Sequence, residues 1–255
     1  MLNYVIGMPV AILERAPRRR LVSRVALLGA LATLAALLLT SSRAQAFWVL
    51  NFSTGQTLDP GRVGFIGGTG GQVTAVGEPL RLSYTPFLAH AGIRVGLFDG
   101  VDLGYRMVTV PLPWTAVGPT LGAASDVKIR LTHKASPWQV AVIGGGAFAY
   151  LRVFDVDRLA WSPGADLVVT RVLSDALSIS VNARYVFTAI PTAPGGLRDN
   201  SLHAFGSSVG MRIGLTRTVS VLPEIGVFRF LGAISGAEND GVAMQYGAVL
   251  SAVID

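Results

Sequence analysis

The sequence predicts an all-β chain: a closed, antiparallel, up-and-down transmembrane β-barrel of about ten strands, preceded by a cleaved signal peptide. Three observations predict it. Apolar and polar residues alternate in run after run. The chain is 51% hydrophobic and only 14% charged, against about 25% charged in a soluble domain. Short and long connections alternate between the runs. Residues 177–187, LSISVNARYVF, show the alternation well. Leu177, Ile179, Val181, Ala183, Tyr185 and Phe187 share one parity; Ser178, Ser180, Asn182 and Arg184 share the other, with Val186 the exception. A strand sends successive side chains to opposite faces, so one face is apolar and the other polar.

The N-terminus reads as a targeting segment. Arg18, Arg19, Arg20 and Arg24 form a basic run, residues 25–39 are small or apolar except Thr33, and AQA closes the segment at 44–46. This is the layout of a secretory signal, with cleavage expected after Ala46. The apolar run is short of the ~20 residues a spanning helix needs, which argues against a transmembrane anchor. Met8 is an alternative start. The RRRLV stretch has a weak twin-arginine character, but that route carries folded cargo, so the general secretory route fits a barrel better. Six arginines, at 15, 18, 19, 20, 24 and 43, would leave with the segment, which brings the formal +6 close to neutral. The high net charge therefore supports no nucleic-acid partner. There is no cysteine, which excludes disulfides, thiolate metal sites, a cysteine nucleophile and a lipidated N-terminal cysteine.

Residues 47–60 are expected to form a periplasmic N-terminal segment, and residues 61–255 the barrel. The strands are read at 61–73, 88–98, 101–110, 122–132, 138–151, 160–173, 176–187, 203–216, 218–230 and 242–254. Each is long enough for the about 9–11 residues a tilted transmembrane strand requires. FDG (98–100), HKASP (133–137), SD (174–175) and TRT (216–218) form short connections. The connections at 74–87, 111–121, 152–159, 188–202 and 231–241 are longer and carry prolines, glycines and charges. Outer-membrane barrels have an even strand number, short periplasmic turns and longer extracellular loops. Ten strands would leave both termini on the periplasmic side.

The composition of the polar face decides which face meets lipid. Gly92, Gly96, Gly104, Gly206, Gly210 and Ser208 suit a crowded lumen, and beyond the signal only two lysines occur, Lys128 and Lys134. A solvated face would favour lysine and glutamate. The apolar face is therefore expected to meet lipid, which requires a closed sheet because backbone groups in hydrocarbon must all be paired. Trp138 at one end, and Tyr150, Trp161, Tyr185, Phe187 and Phe228 near the other, fit interfacial aromatic belts.

Residues 91–108, AGIRVGLFDGVDLGYRMV, resemble a pattern common in uncharacterised Gram-negative outer-membrane β-barrel proteins. Arg94, Gly96, Leu97, Asp102, Leu103 and Gly104 match it, and SDVKIRLT at 125–132 fits the strand that follows. The resemblance implies the fold and an outer-membrane location, with no single activity. It also implies outer-membrane lipid, the secretory translocon and the barrel assembly machinery as partners. The chain departs from the pattern at its end, SAVID, where such barrels usually finish on an aromatic residue.

The candidate site is a lumenal ionic cluster: Arg94, Asp102, Arg106, Asp126, Lys128 and Arg130 on three adjacent strands, extended by Asp166, Arg184, Arg212 and Glu224. Six cations against four anions suggest a slight anion preference if the lumen conducts. Small barrels of ~8 strands are instead filled by side chains, so a salt-bridged filling is the competing reading. No cofactor or metal is implied, and the chain is not expected to be an enzyme. A Ser-His-Asp set from Ser201, His203 and Asp199 would need His203 to turn from the lipid-facing parity. The glycine run GFIGGTGG at 64–71 has no following lysine or helix and suits a tightly curved strand better than a phosphate loop. The functional expectation is a structural or narrow small-solute barrel. The alternatives are an adhesin or receptor acting through loops 188–202 and 231–241, a soluble periplasmic β-protein, or an outer-membrane hydrolase.

Overall fold

The structure is a computed structural model that describes residues 50–76, 81–110, 120–153, 156–234, 236–238 and 240–254. The signal segment 1–46 and its cleavage site lie outside the described residues. The strands are β1 (Val63–Val76), β2 (Arg81–Phe98), β3 (Val101–Val110), β4 (Thr120–Arg130), β5 (Trp138–Val153), β6 (Val156–Ser174), β7 (Leu177–Ala189), β8 (Ser201–Gly214), β9 (Val219–Ile234), the two-residue β10 (Ala237–Glu238) and β11 (Gly241–Ile254). One short helix, α1 (Gly196–Asp199), lies between β7 and β8.

Each long strand pairs antiparallel with its sequence neighbours, and β1 pairs with β11 from Val63↔Ile254 to Val76↔Gly241. With β8 also paired to β9 and β9 to β11, the ring closes. The ten long strands form a closed up-and-down barrel, and β10 is a small hairpin extension of β9. Both ends of the barrel chain lie at one rim, here called the terminal rim; the other is the distal rim.

The pattern of burial is inverted relative to a soluble protein. Ile129 is 43% exposed, Ile179 41%, Val181 50% and Ile213 38%. Between them on the opposite parity, Lys128, Ser178, Ser180, Asn182 and Gln245 are buried. The apolar residues cover the outside and the hydrophilic ones crowd a closed interior. A contiguous apolar exterior of this size is a lipid-facing surface.

Several strands run further than the sequence indicated, all towards the distal rim. The expected connection 74–87 is mostly strand: β2 begins at Arg81 and continues past Pro86, where its register against β1 shifts between Leu88 and Thr85. A proline has no amide to give the ladder, and a bulge accommodates it. The expected connection 152–159 shrinks to two residues, because Arg152↔Asp157 and Val153↔Val156 still pair. The strict alternation of loop lengths therefore fails at β5–β6. The residues assigned to that long loop extend the two strands.

Phe228 is also corrected. Placed by sequence near an aromatic belt, it faces inward and is 1% exposed. Trp138, Tyr150, Trp161 and Tyr185 are exposed outside, with the Arg171 guanidinium 5.1 Å from the Trp138 ring centre. Val181→Arg places a charge on the outer face near the middle of β7. It should lower unfolding free energy in phospholipid vesicles by about 2–4 kcal/mol. On a water-soluble barrel the same change would register less than about 0.5 kcal/mol.

Candidate functional site: an occupied lumen

Residues 50–60 do not extend away from the barrel as a periplasmic segment. They run inward from the terminal rim and occupy the lumen. This stretch has few partners of its own kind, so its amides must find acceptors on the wall. Leu58 N donates to Asp102 Oδ1 at 2.9 Å, Gly55 N to Thr170 Oγ1 at 2.7 Å, Phe52 N to Glu224 Oε2 at 2.6 Å and Leu50 N to Gln245 Oε1 at 3.1 Å. Lys128 Nζ donates to the carbonyls of Gln56 at 2.5 Å and Thr54 at 3.3 Å. Asn51 Nδ2 donates to Asp166 Oδ2 at 2.5 Å, and the Phe52 ring stacks on His90 at 5.8 Å between centres. Gly55 is required where it stands, since a Cβ there would lie 2.4 Å from the Gln139 carbonyl oxygen.

The ionic cluster is built by register. Arg94, Gly104 and Asp126 lie directly opposite one another on β2, β3 and β4. Because Gly104 has no side chain, Arg94 reaches across β3 and its Nη2 meets Asp126 Oδ1 at 2.5 Å. A Cβ on Gly104 would sit 2.6 Å from that nitrogen. Arg106 Nη2 meets the other oxygen, Oδ2, at 2.8 Å. Asp126 is thus clamped between two guanidiniums. One step toward the terminal rim, Lys128 lies opposite Asp102, with Nζ and Oδ2 3.3 Å apart. Across the barrel, Arg184 Nε is 3.0 Å from Asp166 Oδ1. Glu224 accepts from Ser208 Oγ at 2.5 Å and Asn182 Nδ2 at 3.2 Å besides holding Phe52.

Two residues of the sequence-derived set stand apart from this network. Arg130 pairs at the terminal rim with Asp99 of the β2–β3 turn at 2.8 Å. Arg212 gives a hydrogen bond to the Asp175 carbonyl at 3.2 Å. The sequence reading missed Thr170, Gln139 and Gln245, which are uncharged wall residues, and the whole of residues 50–60. An odd-even reading detects strands, and this segment is not one. His203 faces outward, where its Nδ1 and the Tyr185 hydroxyl are 2.8 Å apart.

The lumen has two halves. Toward the distal rim it is apolar: Leu50, Phe52, Val186, Ile190, Leu202, Phe228 and Phe230 form one buried cluster. The β7–β8 connection anchors to this end through Ile190, Ala193 and Asn200, while most of residues 191–199 are exposed. Ile190 and Asn200 are both fully buried, and Asn200 Nδ2 donates to the carbonyls of Pro194 and Gly196. The turn needs Gly195, at φ 87°, with the Asp199 side chain packed where a Cβ would stand. Toward the terminal rim the lumen opens into a cavity of about 450 Å³, with Phe52 and Asn51 at its inner end and Arg62, Lys134 and Arg217 among its lining residues.

Asp59 and Lys134 form an ion pair where the lumenal segment leaves the barrel. The hydrogen bond from Lys134 holds the Asp59 carboxyl below the ordinary carboxylate range, a small burial penalty works against it, and the fields of Lys134, Arg62 and Arg130 add to it. Its contribution is therefore present above the ordinary carboxylate range and lost as pH falls through the lowered value. As the chain has no cysteine, Gln56→Cys carries a single nitroxide label, attached at neutral pH, on the outer part of the segment. The label should be immobile at neutral pH and gain mobility as acid protonates Asp59. Asp59→Asn should raise the neutral mobility toward the acid one. Separately, Asp126→Ala leaves Arg94 and Arg106 buried without their counter-ion, and should cost about 3–5 kcal/mol in an unfolding titration.

No family model and no curated protein matches the sequence. Solved structures do match the fold. The COG4313 outer membrane channel from Pseudomonas putida F1 aligns over 81% of this chain and 100% of its own, at 12% identity and a TM-score of 0.50. The outer membrane protease OmpT from Escherichia coli aligns over 79% of this chain and 100% of its own, at 10% identity and a TM-score of 0.47. The NanC porin aligns over 74% and 98%, at 9% identity and a TM-score of 0.39. The fold is that of an outer-membrane β-barrel.

Proposed function

We propose that the protein is an integral outer-membrane barrel forming a narrow pore for ions or small solutes, closed at rest by its own residues 50–60 and the apolar cluster they complete. The observation that carries this is the way the segment is held. Its contacts with the wall are non-covalent, and four of them are single amide-to-side-chain hydrogen bonds. Each such bond contributes about 0.5–1.5 kcal/mol, and about 1.5–3 to a charged acceptor. The segment is not a strand of the sheet, so it can leave without breaking the ladder. Phe52 sits at φ 48°, a conformation disfavoured for a bulky side chain, and strain of that kind costs about 1–3 kcal/mol. Leaving the lumen would relieve it.

Membrane insertion follows from the outer face, whose apolar side chains have no partner in water. Export through the secretory translocon, cleavage after Ala46 and insertion by the barrel assembly machinery accord with the N-terminal pattern and the fold. The terminal rim, carrying both ends of the barrel chain, is then the periplasmic one. Membrane association is tested by carbonate washing and by heat-dependent gel mobility; recovery in the soluble fraction would refute it.

For the pore, refolded protein is compared in planar bilayers with a variant carrying Leu50→Ala, Phe52→Ala and Phe230→Ala, and with one lacking residues 50–60. The intact chain should be silent apart from brief openings, and both variants should carry steady current. Two results would overturn the reading: steady current from the intact chain, or silence from variants whose heat-dependent mobility shows a folded barrel.

A further inference from the structure

We propose that the cavity at the terminal rim is a binding pocket for a small, multiply charged anion bearing carboxylate or phosphate groups. The pocket's volume, about 450 Å³, falls within the roughly 300–1,000 Å³ of small-molecule sites. It is closed at its inner end by Asn51 and Phe52, so it is a one-ended recess. A ligand would enter from the terminal rim.

Charge selects the ligand class. Eight basic side chains line the recess against three carboxylates, those of Asp59, Asp102 and Asp175. The inner cations are committed to the wall. Arg94 and Arg106 clamp Asp126, Lys128 serves Asp102 and two carbonyls of the lumenal segment, and Lys134 holds Asp59. Arg130 pairs with Asp99 at the rim, whereas Arg212 and Arg217 are not balanced in this way. Among the described residues, neither Arg212 nor Arg217 has a carboxylate at ion-pair distance; Arg212 spends one N–H on a backbone carbonyl. Both stand at the β8–β9 end of the wall. Beside them, Thr218, Ser220 and Ser251 line the same recess, with Ser220 directly opposite Ser251 in the ladder.

Guanidiniums next to hydroxyls, at the mouth of a low-dielectric recess, are the donor set that carboxylate and phosphate oxygens take. The surplus of cations also has a cost. Like charges held together repel, and a bound polyanion relieves that repulsion. The sequence showed a small cationic excess in the strands, but the recess draws as well on Arg62, Lys134 and Arg217, which lie outside that set. The pocket does not depend on conduction, since it is open while the barrel is closed.

The test is equilibrium binding to the full folded barrel in a zwitterionic detergent, by calorimetry. Citrate supplies the carboxylate arm and inorganic pyrophosphate the phosphate arm, with spermidine and glycerol as cationic and neutral controls. Binding of citrate, pyrophosphate or both in the millimolar range or tighter is expected, weakening as salt rises. Neither control should bind. The pair Arg212→Glu and Arg217→Glu should weaken the anion at least about tenfold, with the heat-dependent mobility unchanged. Arg212→Lys and Arg217→Lys should retain most of the affinity. The proposal is overturned if neither anion binds, if spermidine binds as well as citrate, or if the glutamate pair binds the anion as the unaltered chain does. None of these outcomes bears on the bilayer currents, so the pocket and the pore stand or fall separately.

Discussion

Every backbone amide and carbonyl inside hydrocarbon must be hydrogen-bonded within the protein, and the rest of this structure follows from that requirement. A sheet meets it only by closing, and here β1 closes the ring by pairing along its length with β11. Once the ring is closed, strand parity divides the side chains into an outer and an inner set. The outer set must be apolar. The inner set is squeezed into a lumen too narrow for large residues at every position, so glycine recurs on it. Gly104 shows the benefit. Its missing side chain lets a guanidinium on β2 reach a carboxylate on β4, which ties three strands together beneath the ladder.

The lumen of a ten-stranded ring would be poorly filled by wall side chains alone if they stayed polar and paired. Two devices fill it. The distal half is packed with Phe228, Phe230, Ile190 and Leu202, and the proximal half receives the chain's own residues 50–60. The wall holds that segment mostly by its main chain. Side-chain acceptors on four different strands each take one amide, so the grip depends more on the backbone path than on which residues occupy 50–58. Gly55, wedged against the Gln139 carbonyl, is the clear exception.

The fold was legible because period-two alternation is a strong signal when one face is lipid and the other a polar lumen. Val127 and Ile129 against Asp126 and Lys128 could hardly be read otherwise. The ion pairs were legible only as a set. Parity put Arg94, Arg106 and Asp126 on one face, but the register that makes them partners depends on the turn between β2 and β3. Three features were not legible. Pro86 looked like a loop residue because a bulge that absorbs a proline leaves no mark in the sequence. Phe228 looked like part of an aromatic belt because an inward phenylalanine contradicts a polar lumen, and only the three-dimensional position shows that this end is apolar. The lumenal segment, NFSTGQTL, has no period at all; its bonds are made to residues 44 to 195 positions away, a separation that no local pattern can encode.

The two halves of the lumen place opposing demands on the lumenal segment. At its inner end Leu50 and Phe52 are apolar and belong to the distal cluster, so leaving would expose them to water at about 25 cal/mol per Å². At its outer end Asp59 and the carbonyls of Thr54 and Gln56 are held by lysines, whose grip weakens with salt and, for Asp59, with acid. Conditions that loosen the outer grip leave the inner one intact. Release is therefore graded: the rim end frays first, enlarging the cationic recess, and the apolar end follows only when Phe52 gives up its place against His90 and Glu224. In the proposed pore, such a segment would keep the barrel closed through moderate changes at the terminal rim, because the part that seals it is the part those changes do not reach.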